Sequence, residues 1–139
     1  GNTLKGAIFA GLITIATLSS HAVASPPASL VFEPVSLLEE LRTGVITISD
    51  EKLTTELGTE TKLKLIKTVE MEYETLRLDY EVVGTDAIRL CDDGSEASYL
   101  SIALYDGSTV LEAYQIRSNP ENNNEYVSHC ADYRYLPHK

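Results

Sequence analysis

Cys130 and the histidine before it are the residues best placed to do chemistry in this chain of 139 residues. A cysteine with an imidazole beside it is the raw material of a thiolate nucleophile and its base. His129 and Cys130 are adjacent, however, and adjacent side chains on a strand point to opposite faces, so the imidazole does not reach the thiol. Cys91 is the only other cysteine. An isolated pair in an oxidising compartment forms a structural bridge, and Cys91 joined to Cys130 is the expectation. On the chain-entropy account a loop of this size gives about 3 to 4 kcal/mol of stability.

Metal chemistry has two places to be sought. Asp92-Asp93-Gly94-Ser95-Glu96 crowds oxygen donors together, as does the stretch with Glu121, Asn122, Asn124 and Glu125. Neither has the alternating donors and closing glutamate of a twelve-residue calcium loop, so both read as solvated turns. His21 falls in an N-terminal apolar segment, which leaves His129 and His138, and these have no H-x-x-x-H or C-x-x-C spacing for zinc. Gly-x-Ser-x-Gly, phosphate-loop and dinucleotide glycine patterns are absent. No catalytic, cofactor-binding or metal-binding residue is assigned, and the reading leans away from an enzyme.

Tyrosine is the enrichment that could carry binding. Tyr99, Tyr105, Tyr114, Tyr126, Tyr133 and Tyr135 all fall in the C-terminal part, and the chain has no tryptophan. A tyrosine buries a large apolar body while its hydroxyl reaches water or a partner, which suits interfaces. Tyr126, Tyr133 and Tyr135 are therefore the candidate partner surface. The competing reading is ordinary cross-strand packing.

The elements that position these residues follow from patterning. Val35, Leu37, Leu38 and Leu41 recur near helical spacing before Gly44, which predicts a helix from about Val35 to Thr43. Val45–Ile48 is β-branched and reads as a strand. Ser49 then caps a second short helix over Asp50–Leu57, with acidic residues in its first turn. Lys62–Val83 fits both periods. Two strands are favoured over one helix because the alternation shifts parity at Glu74-Thr75, where a turn or bulge fits, and because Glu70 and Glu74 repel at helical spacing. Ala87–Cys91 reads as a strand, Tyr99 to Ile116 as a hairpin turning at Asp106-Gly107, and Tyr126–Tyr135 as the last strand. The fold class expected is α+β, with one or two short N-terminal helices packed on an antiparallel sheet and a single disulfide.

The chain carries 21 acidic and 11 basic residues, a formal charge of −10. Such a surface repels phosphate backbones and anionic lipid, which argues against nucleic-acid partners. It suits a basic protein partner, though solubility alone also explains it.

At the N-terminus, Lys5 precedes an apolar run from Gly6 to Leu18, then Ser19-Ser20-His21 and the small-residue triplet Ala22-Val23-Ala24. This is the layout of a secretory signal segment, too short to span a bilayer as an anchor. Residues 1–24 are read as that segment, 25–34 as a Pro-containing spacer and 35–139 as one domain, periplasmic or extracellular. The function expected is that of an exported, non-catalytic binding or accessory module for a protein or small ligand. The alternative is a small pocket protein, either enzyme or ligand carrier. In a host with a working secretion pathway, N-terminal sequencing should find Ser25 as the first residue, and a product that retains residues 1–24 would contradict the export reading.

Overall fold

A computed structural model of the chain describes residues 29–84 and 87–137. The expected signal segment, the first part of the expected spacer and His138 lie outside the described residues. Among the described residues the chain forms one eight-stranded antiparallel sheet in which every strand pairs with its neighbour in sequence. The strands are β1 (Ser29–Phe32), β2 (Ile46–Ser49), β3 (Lys52–Thr55), β4 (Glu60–Glu70), β5 (Leu76–Val83), β6 (Tyr99–Leu104), β7 (Thr109–Ser118) and β8 (Glu125–Tyr135). One six-residue helix, α1 (Leu37–Arg42), lies between β1 and β2.

The sheet curls because one of its faces is continuously apolar. Leu30 and Phe32 on β1 face Ile48 and Ile46 on β2, Leu78 faces Ile102, Ile102 faces Leu111, and Leu111 faces Tyr133. All of these are buried. Fully burying one such side chain contributes about 1.5 to 3 kcal/mol, so the curled inner face is the core. The segment between β5 and β6 adds Ile88, Leu90 and Ala97 to that core.

The curl brings the chain back to its start. Pro34 bridges Tyr135, and the Leu136 amide donates to the Glu33 carbonyl at 2.8 Å. Phe32 and Tyr135 pack across this seam with ring centroids 6.0 Å apart. From α1, Glu39 reaches the same strand, where its Oε2 accepts from the Arg134 amide at 3.0 Å while its other oxygen accepts from the Ser36 hydroxyl. Burial opposes the charge on Glu39, but these hydrogen bonds outweigh it and hold the carboxyl below the usual carboxylate range. Cys91 and Cys130 form a disulfide, Cα atoms 4.9 Å apart and 39 residues apart in sequence, which ties the segment after β5 to β8.

The α+β expectation is overturned: the described residues are mostly β, a single curled sheet with one short helix. The second helix, expected over Asp50–Leu57, is instead a hairpin. Asp50 and Glu51 both take positive φ (53° and 58°), the geometry of a tight two-residue turn, and Lys52–Thr55 pairs with β2 and β4. The Glu51 carbonyl and carboxylate then accept from the Leu63 and Leu65 amides, and this pairing with β4 offsets the unfavourable backbone. The first helix exists, but its leucines do not face the core. Leu37 and Leu41 are about two-thirds exposed at 66% and 68%, and Glu39 is the residue it buries. Gly44 ends it in the left-handed region (φ +65°), where a Cβ would lie 2.6 Å from Glu56 Oε1.

Ser29–Phe32, placed in the spacer on sequence grounds, is the first core strand, because Leu30 and Phe32 alternate inward. Residues 87–91, expected as a strand, are an irregular segment. Lys62–Val83 is two strands, joined through a 3₁₀ turn at Glu72–Glu74, with a bulge at Ile66. The hairpin from Tyr99 and the final strand stand as expected.

Two outcomes follow from the seam. Tyr135→Ala, which removes a fully buried ring, should lower the urea-derived unfolding free energy by about 3 to 5 kcal/mol. Because the Glu39 carboxyl is depressed in the folded state, its contribution is complete above the unfolded-state pKa of about 4.3 and is lost as pH falls through the lower folded value. The stability gap between wild type and Glu39→Gln should therefore be widest at neutral pH and shrink in urea titrations at pH 3.

Candidate functional site

Two of the three tyrosines of the last strand are not on the surface. Tyr133 and Tyr135 are 1% and 0% exposed, and each uses its hydroxyl inside the fold. The Tyr133 hydroxyl donates to the Leu90 carbonyl, and the Tyr135 hydroxyl lies 3.0 Å from Thr43 Oγ1. Arg42 Nη1 reaches the Cys91 carbonyl at 3.2 Å and the Tyr133 oxygen at 3.4 Å. Burial raises both phenols above their ordinary range. These two residues therefore leave the partner surface, because their strand parity matches the inner face. Tyr126 is half exposed at 50%, on the opposite side of β8 from Val127.

The face that is available is the outer one, from β4 to β8. The pairing sets its side chains in rows. One row runs Lys67, Asp79, Ser101, Glu112, Asp132, and the next runs Glu81, Tyr99, Tyr114, His129, each residue directly opposite the one before. Between these rows lies a shallow depression of about 370 Å³. Tyr99, Tyr114, Ile66 and Val127 supply its apolar lining, with Ser101 nearly buried in it. Ile66 reaches this position because it is the bulged residue of β4, freed from the ladder and more than half exposed.

The polar groups here are tightly engaged. Arg77 holds Asp79 through two hydrogen bonds of 3.1 Å, a bidentate pair. The Tyr114 hydroxyl donates to Glu112 Oε1 at 3.1 Å. Burial first, and then the Glu112 carboxylate, raise the Tyr114 phenol, so it remains a donor. The His129 ring meets Tyr114 edge-on at 5.5 Å between centroids, and its Nε2 lies 3.9 Å from Glu112 Oε2.

Past Tyr99 the sheet narrows to β7 and β8 alone. Tyr99 pairs with Tyr114, the last β7 residue to have a β6 partner, while β7 continues to Ser118 and β8 starts at Glu125. This two-stranded arm carries Ile116 directly opposite Val127, both exposed, and Tyr126 opposite Arg117.

The turns weighed for calcium are closed on themselves. Asp93 Oδ1 accepts from the Ser95 amide and hydroxyl at 2.9 and 2.6 Å, which lowers its pKa. Asn119 and Asn122 bond the amides two residues on, both at 2.9 Å.

Sequence reasoning missed the outer-face cluster of Glu112, His129 and Asp132. His129 and Asp132 are three apart, so a regular strand would place them on opposite faces. The register between β7 and β8 shifts at Ala113/Tyr114, which leaves Cys130 as an extra residue and turns both toward the same side. No local pattern announces such a bulge. Among the described residues no helix is long and apolar enough to cross a membrane. No family model, curated protein or solved structure matches the chain.

Proposed function

We propose that this chain is an exported, non-catalytic binding module that holds a partner polypeptide against the outer face of β4 to β8. The observation that carries the reading is the run of outward apolar side chains from Ile66 through Tyr99 and Tyr114 to Val127 and Ile116, around a depression on a rigid sheet. Scattered exposed apolar residues are ordinary, but a contiguous patch rimmed by charges is a feature of interaction sites. Tyrosines held by sheet pairing lose little freedom when a partner docks, so they are efficient anchors.

The charge balance favours a partner with a basic rim, which an acidic chain would attract and orient. Export is supported by the disulfide, since such bonds persist in oxidising compartments. Asp79, the one carboxylate within the depression besides Glu112, is neutralised by Arg77 and so is not free to act as an acid or base.

The depression's volume favours a second reading, a carrier of a small ligand, because pockets that take such molecules begin near about 300 Å³. The two readings separate by experiment. Val127→Asp and Ile116→Asp change exposed residues and should alter stability by no more than about 0.5 kcal/mol. Each should weaken a partner captured from the native compartment at least tenfold, measured with purified components. Undiminished binding by both variants would refute the polypeptide reading. A small molecule seen by native mass spectrometry on wild type and lost from Tyr99→Ala would establish the carrier.

A further inference from the structure

Glu112, His129 and Asp132 come together on the outer face of β7 and β8, and one donor atom from each lies within 4.8 Å of the other two. We propose that these three side chains bind a divalent transition ion of the zinc class, in an open site whose remaining positions are left to water or a ligand.

The chemistry of the donors selects the ion. Imidazole favours zinc and its neighbours, while carboxylate oxygen alone would suit calcium or magnesium, which need six or more oxygens. One imidazole with two carboxylates supplies three protein ligands, the number that leaves a zinc ion open on one side. Bonds of about 2.0 to 2.2 Å in a tetrahedron place ligand atoms roughly 3.4 Å apart. The existing 3.9 Å between His129 Nε2 and Glu112 Oε2 is close to that, and rotation of exposed side chains closes the difference.

Electrostatics points the same way. Glu112 and Asp132 stand directly opposite each other across the ladder, and like charges so placed destabilise a sheet. A dication between them removes the repulsion and is neutralised by the pair. The site also has an orienting shell. The Tyr114 hydroxyl fixes one Glu112 oxygen and leaves the other toward His129, while its ring makes a T-shaped contact with the imidazole.

The backbone that makes this possible is the bulge at Cys130. The disulfide to Cys91 anchors that extra residue against the core, so His129 and Asp132 are held on one face by a covalent link. The proposal does not rest on a polypeptide partner.

Isothermal titration of the full chain with zinc is the test, with calcium as the second ion. One zinc site is expected, with calcium neither binding there nor competing. His129→Ala and Asp132→Asn change exposed residues and should each weaken zinc at least tenfold, and Tyr114→Phe by a smaller factor, with circular dichroism unchanged. His138→Ala should have no effect. Zinc binding equal in wild type and His129→Ala, binding lost instead in His138→Ala, or calcium bound as tightly as zinc would each overturn the proposal.

Discussion

The structure depends on how the free edge of β8 is sealed. A meander in which each strand pairs with its sequence neighbour is built from local hairpins, and by itself it ends in two open edges. Here the last strand is met by groups from far upstream: the Glu33 carbonyl on the Leu136 amide, Glu39 on the Arg134 amide, and the Asp92 amide on the Cys130 carbonyl at 3.1 Å. These bonds link residues some 40 to 100 positions apart and turn a curled ribbon into a closed packing unit. They also occupy the Arg134 and Leu136 amides at the end of an edge that would otherwise template pairing with another chain.

That seam explains why two core positions are tyrosine and not phenylalanine. Phe32 and Tyr135 fill the same apolar layer, but Tyr135 ends at the buried Thr43 and Tyr133 at the Leu90 carbonyl. A buried carbonyl left without a donor costs about 1 to 3 kcal/mol, and a phenol supplies that donor without leaving the apolar layer. Arg42, at the end of α1, adds a charged donor to the same cluster and so couples the helix to the segment that bears the disulfide. Six helical residues contribute in this way through one carboxylate and one guanidinium. Their leucines remain outside.

Strand periodicity made most of the C-terminal half legible. The Tyr99 to Ile116 hairpin, the final strand and the division of Lys62–Val83 into two strands could be read from alternation and turn residues, and the disulfide from the presence of a single cysteine pair. The N-terminal half misled for a physical reason. Short stretches such as Asp50–Leu57 carry capping and acidic signals that a tight turn uses equally well, and only pairing with β2 and β4 decides between them. The inward direction of Tyr133 and Tyr135 did have a signal. Asp132 and Arg134 hold the opposite parity, and charged residues mark the outer face.

The candidate sites were less legible than the fold because both are made by irregularities in the ladder. Parity arguments assume that every residue takes one step of the pleat, and a single inserted residue reverses them downstream. At Ile66 the insertion exposes an apolar side chain beside the depression, and at Cys130 it aligns His129 with Asp132 and Glu112. Without that second bulge, a face that placed Asp132 outward would place His129 inward, beside the apolar rows of the core. The bulge gives up ladder bonds and local regularity, and in return it bends and twists β8. Its position opposite the Tyr114 and Glu112 pair, fixed by the disulfide, is accounted for if the outer face and not the core is the surface this protein uses.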